Sequence, residues 1–146
     1  MAIDKTLTLR PATIDIANNV DDILQQITPE IYGVEKIALT SDFEQYDTAD
    51  NLIKIIKIGH IILMQGGIKK IGAQASAGNI KIGNLSMGLR PAFSRISAIN
   101  RASGQNRYDL SIYNNGDMYC FTYGADSNIA ITNNALLRID AIFYTE

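Results

Sequence analysis

The chain has no tryptophan, one cysteine, one histidine and three prolines among its 146 residues. Each scarcity excludes something. Cys120 alone cannot close an intramolecular disulfide, so no disulfide framework staples the fold. A Ser-His-acid site would have to use His60, which follows Gly59 in what reads as an exposed turn, and no nucleophile-elbow pattern accompanies it. No cluster of His and Cys has zinc-ligand spacing. The 13 Lys and Arg residues are interspersed with 15 Asp and Glu, and the net charge is −2. No basic run exists to recruit nucleic acid or an anionic membrane. The longest apolar stretches, such as Ile61 to Met64, are too short to span a bilayer, so no membrane insertion is expected. Gly66-Gly67 and Gly83 are too sparse for a phosphate-cradling loop, and no cofactor is expected. Residues 1–10 lack the basic-then-apolar layout of a signal peptide. Synthesis in the cytosol is therefore expected, with exit by lysis or as part of a particle.

What is present is a folding composition, 47% hydrophobic and 19% charged. Its length suits one core with a small appendage. Residues 1–12 read as an extended arm. A helix follows, with Thr13 as N-cap, Asp15 in its first turn and Thr28-Pro29 as its stop. Ile16, Val20, Ile23 and Ile27 are spaced 4, 3, 4, with Leu24 beside them, which is a heptad-like seam. That seam suits either an amphipathic helix lying on its own domain or a short parallel bundle between copies of the chain. Residues 30–51 carry Asp42, Glu44, Asp47 and Asp50 without firm periodicity. They read as a linker with one short strand near Glu35 to Leu39.

From Leu52 onward β-branched residues alternate with frequent Gly and Asn. Strands are expected at Leu52 to Ile58, Ile61 to Gln65, Asn79 to Ile82, Phe93 to Asn100, Tyr108 to Tyr113, Met118 to Tyr123 and Leu136 to Thr145. Gly59-His60 suits a hairpin turn, Gly66-Gly67 a bend, and Gly72 to Gly78 a loop. With no helix between them, such strands predict a mainly β fold, an antiparallel sandwich or barrel. The domain plan is thus a 1–51 arm, helix and linker, then a 52–146 β head.

The turn at Asn114-Asn115-Gly116 fixes the faces of its hairpin. A three-residue loop, a type I turn followed by a left-handed Gly, sets Ile112 opposite Met118 and Leu110 opposite Cys120. One face then carries Tyr108, Leu110, Ile112, Met118, Cys120 and Thr122. The other carries Asp109, Ser111, Tyr113, Asp117, Tyr119, Phe121 and Tyr123. A two-residue loop would mix polar and apolar groups, so the three-residue loop is preferred. Rings among carboxylates, amides and hydroxyls suit carbohydrate, because rings cover the apolar faces of sugars. They equally suit packing under a loop or against another subunit. Asp109 and Asp117 share that face, and paired carboxylates could hydrolyse a glycoside.

Three stretches in this order and spacing resemble a known family. They are Gly88-Leu89-Arg90-Pro91-Ala92, Tyr108-Asp109-Leu110-Ser111-Ile112-Tyr113-Asn114-Asn115-Gly116 and Gly124-Ala125-Asp126. The chain resembles the C-terminal head domain of phage tail receptor-binding proteins, above all those of phages infecting lactococci and related Gram-positive bacteria. The opening strands, Ile56 to Ile62 and Ile82 to Leu85, are similar to those of the same domain in many tail fibres. The resemblance implies a homotrimeric head at the virion tail tip or baseplate that binds host cell-wall polysaccharide without cleaving it. By analogy, the N-terminal segment would join other baseplate or tail proteins. The family site uses a His and an Asp two residues apart before the turn and an aromatic after it. Here those places hold Asp109, Ser111 and Phe121, so the ring is kept and His–Asp has become Asp–Ser. With Tyr119 these form the expected saccharide site. A structural baseplate component without a receptor site and a polysaccharide depolymerase are the alternatives.

Overall fold

A computed structural model describes residues 11–72, 79–102, 107–123 and 131–146, with backbone alone at 11–18, 101, 122 and 123. Helix α1 (Pro11–Ile27) comes first. It is followed by β1 (Glu30–Tyr32), β2 (Ile37–Leu39), β3 (Phe43–Gln45), β4 (Lys54–Ile58), β5 (Ile61–Gln65) and β6 (Gly67–Lys70). Then come β7 (Asn79–Leu85), β8 (Arg95–Arg101), β9 (Arg107–Tyr113), β10 (Asp117–Tyr123), β11 (Leu136–Arg138) and β12 (Ala141–Tyr144). The pairings of these strands are antiparallel.

One layer is the sheet β2-β7-β10-β9-β8. The other is made of β1-β4-β5-β12 and β11-β6-β3. These two are segments of one bent layer, since only Gly66 separates β5 from β6 and only Ile139-Asp140 separates β11 from β12. The bend needs glycine: Gly66 has φ 137°, and a Cβ there would lie 2.7 Å from Ile53 Cα. Period-2 alternation buries one side of each strand. In β5, Ile62 and Met64 are buried while Ile61 and Gln65 are exposed; in β12, Ala141 and Phe143 are buried while Ile142 and Tyr144 are exposed. These side chains meet Ile82, Leu85, Leu110, Ile112, Met118 and Cys120 from the first layer in one core. Burial, with the charge of Asp109 nearby, pushes the Cys120 thiol up to about 12. At the far edge Asn100 imitates a strand ladder, accepting from Asp140 N at 2.9 Å and donating to Asp140 O at 3.0 Å. The sandwich expected from the strand spacing is the fold observed.

Three sequence expectations change. The sheets begin at Glu30, not Leu52. The presumed linker supplies not only the strand expected near Glu35 to Leu39, which is β2, but also β1 and β3, one to each sheet, and places Ile37 and Phe43 in the core. Its acidic character has a partner in β6, where Lys69 Nζ lies 2.7 Å from Glu44 and 3.7 Å from Asp47. The Gly66-Gly67 bend leads straight into β6, a strand not among those expected; residues 73–78 of the expected Gly72 to Gly78 loop lie outside the described residues. Among the described residues helix α1 is already helical at Pro11, so Thr13 lies inside it and is not the N-cap. The arm at 1–10 and the Ile16 side chain lie outside the described residues.

The helix stops where expected, with Thr28 N and Oγ1 both donating to Leu24 O, at 3.0 and 2.7 Å. Along its seam Val20, Ile23, Leu24 and Ile27 are all exposed. The helix therefore does not bury this face on its own domain.

Candidate functional site

The hairpin β9–β10 has the three-residue loop expected. Met118 pairs with Ile112, Cys120 with Leu110, Tyr119 with Ser111 and Phe121 with Asp109. Gly116 N donates to Tyr113 O at 2.8 Å, and Gly116 has φ 89°. A side chain there would be strained, and its Cβ would sit 2.5 Å from Leu85 O. A polar network ties this turn to the Arg90-Pro91 segment. Arg90 donates to Asn84 Oδ1 at 3.2 Å and to Leu85 O at 3.1 Å. Asn84 in turn donates to Asp117 Oδ1 at 2.9 Å and to Asn115 O at 3.2 Å. Two of the sequence stretches that carry the family resemblance are thus one structural unit. The third, Gly124-Ala125-Asp126, lies outside the described residues.

The inner hairpin face is core, with Tyr108, Leu110, Ile112, Met118 and Cys120 buried. The Tyr108 hydroxyl donates to Arg138 O. The outer face of β7–β8–β9–β10 gathers the candidate residues. Tyr113 and Tyr119 meet edge to face, with centroids 5.7 Å apart. Arg95 from β8 lies over Phe121 at 5.5 Å and over Tyr113 at 5.9 Å. Its Nη2 is 3.7 Å from Asp109 Oδ2. Ser97 Oγ and Ser111 Oγ lie 3.1 Å apart. Lys81 from β7 pairs with Asp117 at 2.7 Å. That ion pair and the Asn84 bond hold the Asp117 carboxyl below its usual range, and the same pair raises Lys81.

Depth on this face differs from expectation. Tyr119 and Phe121 are partly exposed, as an outward face requires. Asp109 is only 8% exposed and Ser111 is fully buried. Both are short side chains on β9, which runs between β8 and β10, and they sink between longer neighbours. Part of the face forms an open cleft of about 260 Å³ lined by Asn79, Tyr113, Asn115, Asp117 and Tyr119. A larger cavity, about 570 Å³, opens against the other layer. Its lining is mainly aliphatic, including Leu52, Ile56, Leu63 and Ile142, and holds no ring. The smaller cleft is the better sugar candidate because it combines rings with amides and a carboxylate.

No family model matches the chain, and no curated protein does. Among solved structures it is similar to the receptor binding protein gp15 of Listeria phage PSA. The TM-score is 0.61 at 12% identity, covering 92% of this chain and 76% of that one. The chain has the fold of a phage receptor-binding protein. The coverage reaches N-terminal of Leu52, as the strands from Glu30 require. The neighbour comes from a Listeria phage, not from a phage of lactococci.

Sequence reasoning placed Asp109, Ser111, Tyr119 and Phe121 on one face, and the structure brings them together there. It had no signal for Arg95, Ser97, Lys81 and Asn79, which join that face only through the order of β7, β10, β9 and β8. In the sequence Asn115 reads only as a turn residue. His60 lies elsewhere, on the β4–β5 hairpin, where it is exposed and stacks on Tyr144 at 5.4 Å. Among the described residues no three His, Cys, Asp or Glu side chains gather as a metal cage.

Proposed function

We propose that this chain is a phage tail or baseplate receptor-binding protein that adsorbs to host cell-wall saccharide without cleaving it. The observation that carries this reading is the outer hairpin face. On a fold shared with a phage receptor binding protein, it sets three rings beside amides, hydroxyls and two carboxylates. Saccharide binding needs flat apolar surface for the ring faces and fixed acceptors and donors for the hydroxyls. Tyr119, Tyr113 and Phe121 offer the first; Asn79, Asn115 and Asp117 in the cleft offer the second, with Asp109 beneath Arg95 and Ser111 buried behind Ser97. In this reading the protein is a homotrimer at the virion tail tip or baseplate, and the segment before Glu30 joins it to other tail proteins.

The test is sedimentation of the full chain with purified cell walls of Gram-positive hosts. Asp109→Ala, Tyr119→Ala and Phe121→Ala should each weaken binding about tenfold, or ~1.4 kcal/mol, with unfolding curves still cooperative. Wild-type binding in all three would move the site elsewhere. A second reading, a structural baseplate component, draws on the exposed aliphatic groups Ile31, Ile61 and Ile142 on the other layer, which suit assembly contacts. It predicts no wall binding at all. Release of reducing sugar from the walls would turn the reading to a depolymerase.

A further inference from the structure

Asp109 is buried, and its Oδ1 has no hydrogen-bond partner and no access to water. Its Oδ2 faces Arg95 Nη2 at 3.7 Å, close enough for attraction but too far for a hydrogen bond. A buried carboxylate oxygen without a donor is costly, and native folds rarely leave one. Arg95 meanwhile directs Nε and Nη2 to Ser97 Oγ, at 3.2 and 2.9 Å. Its side chain is 45% exposed and spans the rings of Phe121 and Tyr113. The cation is thus held over the face by rings and a hydroxyl, and the carboxylate beneath it lacks a donor.

We infer that Arg95 is a ligand-binding residue of this face, and that with Asp109 it takes adjacent hydroxyls of a neutral sugar. This rests on the saccharide reading above and names the class of sugar. A carboxylate only accepts hydrogen bonds and a guanidinium only donates them, whereas a hydroxyl does both. One hydroxyl of a vicinal pair donates to Asp109, and its neighbour accepts from Arg95. A phosphate would meet repulsion from Asp109, and an ammonium would meet repulsion from Arg95. Neutral diols match both groups. Because Oδ1 is sealed, the sugar enters as the Arg95 side chain shifts from Ser97 towards it. The Phe121 and Tyr113 rings then flank the same hydroxyls.

The test measures binding of the full chain to a neutral, phosphate-free wall polysaccharide and to a phosphate-bearing wall fraction. Wild type should prefer the neutral fraction, and its affinity should be nearly constant from about 0.05 to 0.5 M salt, since no net charge is neutralised. Arg95→Ala should lose about tenfold. Arg95→Lys should also lose binding, because a point charge cannot bridge two rings and a diol as the planar fork does. Unfolding curves confirm that each variant is folded, and Arg95→Lys keeps the charge if Arg95→Ala proves unstable. Wild-type or tighter binding by either folded variant would make Arg95 a cover and overturn the inference. So would preference for the phosphate-bearing fraction, or a steep loss with salt. If Tyr119→Ala loses binding while Arg95→Ala does not, the saccharide site stands and only this inference falls. If wild type binds neither fraction, both fall.

Discussion

Asp117 joins the turn, the cleft and the neighbouring strand through one carboxylate. Lys81 and Asn84 reach it from β7, and Asn115 donates to it from the turn at 3.2 Å. These partners favour the charged form, so its folded pKa lies below the unfolded value. The resulting stabilisation is complete above the unfolded carboxyl range, about pH 4, and is lost as pH falls through the lowered folded value. Asp117→Asn should therefore be less stable than wild type at pH 7, with the gap narrowing below about pH 4. The gap will be small, because Lys81 is largely exposed and water screens the pair. Thermal unfolding of both proteins from neutral to acid pH checks this; a gap unchanged by pH would remove the ion pair from the account. Asp109 and Ser111 show where legibility stops at this scale. Period 2 assigned their face, but not their depth. Depth depends on Arg95, fourteen positions before Asp109, which only strand pairing brings alongside.

Elements with strong local signals are legible, and most short ones are not. The β9–β10 register followed from a turn whose Gly has to be left-handed and from two seven-residue strands with clear alternation. By contrast β1, β2 and β3 have three residues each, too few to display a period, and only β2 is expected from the sequence, near Glu35 to Leu39. Their identity comes from partners far along the chain: β4 for β1, β7 for β2 and β6 for β3. The consequence is measurable. A fragment of residues 52–146 lacks all three strands, together with buried Ile37 and Phe43. Emptying such sites typically costs about 2–5 kcal/mol for Ile and 3–5 for Phe. That loss is comparable to a domain's entire stability of about 5–15 kcal/mol. Fragment 52–146 should show no cooperative unfolding transition, whereas 28–146 should show one near that of the full chain. A cooperative transition in the shorter fragment would mean that the three strands are accessory.

At the scale of the whole molecule, two apolar surfaces lie uncovered among the described residues of a single chain. One is the α1 seam of Val20, Ile23, Leu24 and Ile27. The other is the outer face of β1-β4-β5-β12, where the register aligns Ile31, Ile56, Leu63 and Ile142 in one row across four strands. This row explains why Leu52 to Ile58 is apolar on both sides: Ile53 and Ile55 face the core, and Ile56 faces out. A helix of 17 residues is marginal in water unless its apolar face is covered, and seam spacing of 4, 3, 4 suits a like helix. The trimeric proposal covers the seam with two further copies. It predicts a light-scattering mass near three times 16.0 kDa. Ile23→Asp with Ile27→Asp should shift that mass down while leaving the β fold intact, because neither side chain enters the core. Ile142→Asp, on the other surface, separates the two contributions. If only the helix variant dissociates, the seam alone holds the copies together and the sheet row is left for another partner. If only Ile142→Asp dissociates, the heads assemble through their sheets. A wild-type mass of one chain would overturn the trimer, and the exposed seam would then have to be covered by a different protein.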